Sequence, residues 1–225
     1  YGARTYVDDA HGLGVIGDGG RGTPSFFGIK PDILMGTFSK SLASQGGFIC
    51  CSKEINEWLR LKARTFIFSA GLSPANAASA LKALEILEKE PALVTRQQEN
   101  AAYLKKKFEE AGLNTMGTET SVIPVFIGDD QTALLSCKML LEAGVFTTPV
   151  VYPAVPRGHG VIRCSVMSTH TKENLDRAAH AFAELAPLIR QANNSQSSET
   201  FYDVLSLPPD QVIGALKEKI KQIEL

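Results

Sequence analysis

The 225-residue sequence predicts an α/β fold in two parts, and three observations carry that prediction. Short apolar runs bounded by turn residues, Ile33-Leu34-Met35 and Phe48-Ile49-Cys50, have the length and punctuation of buried strands. Two stretches rich in alanine, leucine and charged residues, 75–90 and 92–111, have strong helix propensity. Beyond residue 120, apolar runs alternate with helical spacing, the pattern of a second and smaller α/β layer. Residues 1–95 are assigned to the first part, 96–190 to a small C-terminal domain, and 191–225 to a linker and helical tail.

The elements follow in order. Residues 4–8 read as a strand ending in acid, followed by a glycine-rich turn over 9–17 and a loop over 18–28. The two apolar runs then place Thr37 to Gly46 on a tight loop between strands. Ile55, Trp58, Leu59 and Leu61 recur at helical spacing over 53–64, and Phe66-Ile67-Phe68 reads as a short extended segment. Pro74 suits the first turn of the next helix, and Gly112 suits the residue after the end of the second long one. Strands are expected at 122–127, 145–146 and 161–167, and helices at 132–142 and 172–189. The polar run 191–200 reads as a mobile linker, and 208–224 as an amphipathic helix that docks on its own domain or on a partner. The chain opens at Tyr1-Gly2, directly before a strand, and is expected to be a piece of something longer.

Composition narrows the function classes. With 44% hydrophobic and 21% charged residues and a net charge of −1, the chain has an ordinary globular make-up. Near-neutral charge gives no electrostatic reason to expect nucleic acid as a partner. No apolar run approaches the roughly 20 residues of a membrane span, and no signal peptide opens the chain. Cys50, Cys51, Cys137 and Cys164 lack zinc-ligand spacing, so no metal is expected. A reducing, cytoplasmic setting fits this cysteine usage.

The chemistry centres on Lys40, an amine in the hydroxyl-rich turn Thr37-Phe38-Ser39-Lys40-Ser41. Such an amine, once deprotonated, attacks carbonyls and forms Schiff bases. In open α/β sheets functional groups gather beyond the carboxyl ends of strands, where both Asp8 and Lys40 are placed. Taken singly, each residue has a plainer reading: Lys40 as a surface lysine, Asp8 as a strand-end cap, His11 as a loop histidine, Arg163 as a salt-bridge partner. Arg157 and His159, just before Arg163, could contact substrate, and a turn before a strand explains them as well, so neither is assigned to the site.

Taken together, Asp8-Asp9-Ala10-His11-Gly12, Thr37-Phe38-Ser39-Lys40 and the strand carrying Arg163 resemble the α-oxoamine synthases, over residues 1 to about 190. These are pyridoxal-phosphate enzymes of the aspartate-aminotransferase fold, fold type I. The resemblance implies that the chain is the C-terminal part of such an enzyme, containing part of the mostly parallel large domain and the small domain. It also implies an acyltransferase that joins an amino acid to acyl-CoA or an acyl carrier protein, with loss of carbon dioxide. Asp8 matches the acid that pairs with the protonated pyridine nitrogen, His11 a residue beside the ring's phenolic oxygen, and Lys40 the lysine that holds the cofactor. Thr37 matches a phosphate ligand, Ser39 offers a second hydroxyl, and Arg163 matches the arginine that grips the substrate carboxylate. Ser69 matches a hydroxyl that reaches the cofactor phosphate of a neighbouring subunit, implying a homodimer with shared active sites.

The subfamily stays open. The runs 37–41, 146–156 and 167–171 look most like bacterial serine palmitoyltransferases, of sphingolipid synthesis. The 8-amino-7-oxononanoate synthases of the biotin pathway share the Asp8-to-Gly12 motif. The 2-amino-3-ketobutyrate ligases usually carry serine where Ala10 stands. A plain aminotransferase shares Lys40 and Asp8, while a partner subunit without chemistry typically loses the lysine. In the family a ring-stacking residue and a glycine-rich phosphate loop come from a preceding half, so these residues alone are expected to be inactive.

Overall fold

The computed structural model describes residues 2–194, 207–208, 211–215 and 217–218. It divides into two compact units, Tyr1–Gln98 and Glu99–Leu225.

In the first unit, β1 (Tyr6–Asp8), β2 (Ile33–Thr37) and β3 (Gly47–Cys51) form one sheet in the order β1-β2-β3. β1 and β2 are parallel, with Asp8 opposite Met35, and β2 and β3 are antiparallel, with Thr37 opposite Gly47. Asp32 ties the entries of the parallel pair, accepting from the Thr5 N–H (2.9 Å) and Thr5 Oγ1 (3.0 Å) and pairing with Arg4 at 2.9 Å. The Thr5 N–H first, then Arg4, hold its carboxyl below the usual carboxylate range.

The expected loop over 18–28 instead contains a 3-10 turn, Asp18–Gly20, and the short helix α1 (Thr23–Phe27). Pro24 sits in its first turn, where its missing N–H costs nothing. Next come α2 (Lys53–Lys62), α3 (Arg64–Ile67) and α4 (Pro74–Lys89). The extended segment expected at Phe66-Ile67-Phe68 is thus mostly helical. Three consecutive apolar residues do not distinguish strand from helix, and here the chain turns to bring the Phe66 ring under Arg60, 5.9 Å away. Ser73 caps α4 by accepting from the Asn76 N–H (3.2 Å).

The unit boundary falls inside α5 (Ala92–Glu110). Gly112, at φ +76°, ends it: the Leu113 N–H reaches back to the Phe108 carbonyl (3.0 Å) and the Gly112 N–H to Glu109 (2.9 Å). The second unit continues with β4 (Val122–Gly128), α6 (Asp130–Glu142), β5 (Thr148–Val150), β6 (Gly160–Ser165) and α7 (Lys172–Asn194). Its sheet has the order β4-β6-β5 and is antiparallel throughout. Pro124 and Pro149 both lie on edge strands, where no ladder donor is lost.

The strand expected at Val145-Phe146 begins later, at Thr148. Val145 belongs to the end of α6, its N–H bonded to the Leu140 carbonyl (2.7 Å) around Gly144 at φ +79°. Alternation along β4 turns Ile123, Val125 and Ile127 inward, against Ile162 and Cys164 of β6 and Leu140 of α6. Phe108 of α5 and Phe182 of α7 meet in this core with ring centroids 4.4 Å apart. Helix α7 runs on to Asn194, past the expected start of the linker, and 195–200 lie outside the described residues. Much of the expected tail, 201–206 and 219–225 included, lies outside them too. Residues 211–215 are helical, and Val212 is buried in the second unit's core, so this turn docks on its own unit.

Candidate active site

Because β1 and β2 run parallel, their carboxyl ends lie at the same edge of the sheet, and the segments leaving them meet there. After β1 the chain turns at once, the Gly12 and Leu13 N–H groups donating to the Asp9 carbonyl (3.1 and 3.2 Å). Asp8 is exposed. Its Oδ1 accepts from the Ala10 N–H (3.0 Å), and its Oδ2 has no hydrogen-bond partner among the described residues. His11 stands exposed on the same turn.

Asp9 points the other way. It is buried, and both its carboxylate oxygens accept from the Thr23 N–H (3.1 and 3.2 Å) at the start of α1. The carboxylate occupies the space that a Cβ on Gly12 or Gly22 would need, and Gly22 also has φ +88°. The second acid of the pair is therefore a structural anchor for the turn that carries His11.

Residues 38–46 close on themselves after β2. The Phe38 N–H donates to the Gly46 carbonyl (2.9 Å), the Ser44 N–H to Phe38 (2.8 Å) and the Ala43 N–H to Lys40 (3.0 Å). Leu42, 3% exposed, plugs the loop into the unit. Ser44 Oγ donates to the Asn76 carbonyl in α4 (2.8 Å), and Ser41 Oγ to the Leu13 carbonyl (2.5 Å). That last bond joins the Lys40 loop to the turn after Asp8. Ala43 is held at φ +48°, a left-handed conformation costing an L residue roughly 1–2 kcal/mol. On this anchored turn Lys40 is exposed, and its side-chain amine has no hydrogen bond or ion pair among the described residues. Thr37 Oγ1 and Ser39 Oγ lie 2.9 Å apart beside it, and Thr37 Oγ1 donates to the Gly46 carbonyl (3.1 Å).

Asp8, His11, Thr37, Ser39 and Lys40 thus share one edge of one sheet. Ser69 is elsewhere in the first unit, on the exposed segment between α3 and α4, beside Phe68, which is 80% exposed. Arg163 belongs to the second unit. It projects from the open face of β6, opposite Thr148 and Pro124, and lines a cavity of about 590 Å³ with His170 and Arg177. A cavity in the first unit, about 660 Å³ between sheet and α2–α3, is lined by none of the predicted residues. Asp9, Ser41, Leu42 and Ser44 were missed in the sequence. Asp9, Ser41 and Ser44 act through partners distant in the chain and Leu42 through its burial, and only the density of hydroxyls around Lys40 hinted at it.

Comparison with known proteins adds the following. A model of the family described as aminotransferase class I and II matches residues 1–182. A serine palmitoyltransferase of Bacteriovorax stolpii is 45% identical over 186 residues, 82% of this chain and 44% of that protein. An 8-amino-7-oxononanoate synthase of Alkaliphilus oremlandii is 41% identical over 187 residues, 82% of this chain and 47% of that protein. A solved structure of SPT with PLP internal aldimine superposes with a TM-score of 0.78 at 30% identity, covering 84% of this chain and 48% of that one. The chain spans about half the length of the relatives it matches.

Proposed function

The chain belongs to the class I and II aminotransferase family, and we propose that the protein carrying it is a pyridoxal-phosphate acyltransferase. It joins an amino acid to an acyl thioester, releasing thiol and carbon dioxide and leaving an α-amino ketone, as a serine palmitoyltransferase-like or 8-amino-7-oxononanoate synthase-like enzyme. The observation that carries this is the anchored Lys40 turn, tied through Ser41 to the turn after Asp8.

The donor set fits the cofactor. Lys40 offers an amine without a competing partner, Asp8 an open carboxylate oxygen for the ring nitrogen, and Thr37 and Ser39 paired hydroxyls for the phosphate. Bound there, pyridoxal phosphate supplies an aldehyde for amines and a cationic ring that withdraws electrons from the substrate's α-carbon. Asp8 would pair with the ring nitrogen and keep it protonated, and His11, on the same turn, would help orient the ring. Arg163 holds the amino acid's carboxylate with its guanidinium fork. Lys40 Nζ, as a free amine, would take the α-proton and return a proton to the product.

We assign Ser69 to a site shared between two copies. The exposed Phe66 and Phe68 beside it support a surface that a partner covers. The four cysteines are free thiols, which supports the reducing, cytoplasmic setting.

A thiol-release assay of the complete natural protein containing this chain tests the reading, with several amino acids against acyl-CoA and acyl-carrier-protein donors. Thiol should appear only when amino acid and thioester are both present. Transfer of nitrogen to a keto acid without thiol release would make the protein a plain aminotransferase.

A further inference from the structure

Between β5 and β6 the second unit carries a cation that the chemistry above does not use. Arg157 lies with its guanidinium carbon 4.2 Å from the centre of the Tyr152 ring. Arginine stacked this way keeps its N–H groups at the rim, directed away from the ring and available to an acceptor. Those N–H groups have no hydrogen-bond or ion-pair partner among the described residues.

The backbone beneath is well fixed. The His159 N–H donates to the Pro156 carbonyl (3.1 Å), closing a four-residue turn with Arg157 second and Gly158 third, at φ +77°. The Ala154 N–H bonds to Val151 (2.9 Å) at the other end of the loop. The His159 ring sits edge-on to Phe126 of β4, with centroids 6.3 Å apart. Arg157 is therefore an arginine fork held in place before any ligand arrives, a form suited to phosphate oxygens.

Its position selects the ligand, and here the argument rests on the proposed function. Arg163 takes the amino acid's carboxylate. The strand from Gly160 to Arg163 separates that anchor from the Arg157 turn by about 10 Å. The amino acid has no second anion at that range. The acyl thioester does: its pantetheine arm carries the phosphate well away from the reacting carbonyl.

We propose that Arg157, positioned by Tyr152, binds the phosphate of the phosphopantetheine arm and sets the preference for phosphorylated thioester donors. This phosphate is common to acyl-CoA and acyl carrier protein.

The test compares wild type, Arg157→Ala, Arg157→Lys and Tyr152→Ala in the complete natural protein, with acyl-CoA, acyl carrier protein and phosphate-free acyl-pantetheine. Losing one charge-assisted contact should raise the KM for acyl-CoA about tenfold in Arg157→Ala, with kcat and the amino-acid KM unchanged. Arg157→Lys keeps the charge without the planar fork and should fall between, as should Tyr152→Ala. The difference should vanish with acyl-pantetheine. A KM rise shared by both phosphorylated donors supports the common pantetheine phosphate, whereas one confined to acyl-CoA places the contact on its nucleotide-side phosphates and overturns the proposal. An unchanged KM for acyl-CoA, or an equal rise with acyl-pantetheine, overturns the proposal and leaves the proposed function standing. A wild type that releases thiol from no donor overturns both.

Discussion

Among single residues, environment separates groups that the sequence presents as alike. Asp8 and Asp9 are adjacent carboxylates, yet one is exposed at the strand end and the other is buried on the Thr23 N–H. The four cysteines divide in the same way. Cys50 is exposed, whereas burial, with Cys137 adding to it, pushes the Cys164 thiol up to about 12. Burial also raises Cys137, with Thr147 Oγ1 hydrogen-bonded to its sulfur partly opposing the shift. Only a thiolate reacts with alkylating reagents. At pH 8 Cys50 should therefore label with iodoacetamide while Cys164 stays unmodified until the protein is denatured, as peptide mass spectrometry would show. Labelling of Cys164 at the rate of Cys50 in the folded protein would contradict the packing of β6.

Among the elements, the turns that carry chemistry are held by contacts between segments far apart in sequence. Asp9 to Thr23 and Ser41 to Leu13 are of this kind. Asp9→Ala removes the acceptor from a part-buried N–H and should cost about 2 kcal/mol of stability, read as a lower urea midpoint at unchanged slope. A loss below about 0.5 kcal/mol would mean that α1 does not depend on this cap. The same contrast explains what was legible in the sequence. The helices 74–89, 92–110 and 130–142 announce themselves by propensity, a Pro24-like entry at Pro74, or a glycine stop at Gly112. Lys40, Asp8 and His11 stand out as candidates because turn residues and reactive groups coincide there, and the fold brings them to one sheet edge. The helical turn at Phe66 and the late start of β5 were not, because a cation–ring contact and a helix cap decided them.

Across the whole molecule, the two units have unequal interiors. The second has a continuous core through α5, β4, α6, β6 and α7, including Phe108, Ile123, Leu140, Ile162 and Phe182. In the first, few apolar residues are fully buried, and Trp58 and Leu61 of α2 remain 60% and 73% exposed. Stability follows buried apolar area. Hydrogen exchange on the 225-residue chain should therefore show β4, α6 and β6 protected longest and α2 and α3 exchanging early. Equal protection of α2 and β6 would contradict the difference in packing. An exposed face of this size belongs against something. The strand-and-helix pattern that makes α2 recognisable says nothing of what covers it.

The central claim is that Lys40 is the amine that holds the cofactor. Its most direct test is borohydride reduction of the complete natural protein after loading with pyridoxal phosphate, followed by peptide mass spectrometry. The account predicts one phosphopyridoxyl group, on Lys40, and none in Lys40→Ala protein. A stoichiometric adduct on another lysine, or an unchanged adduct in Lys40→Ala, would contradict it.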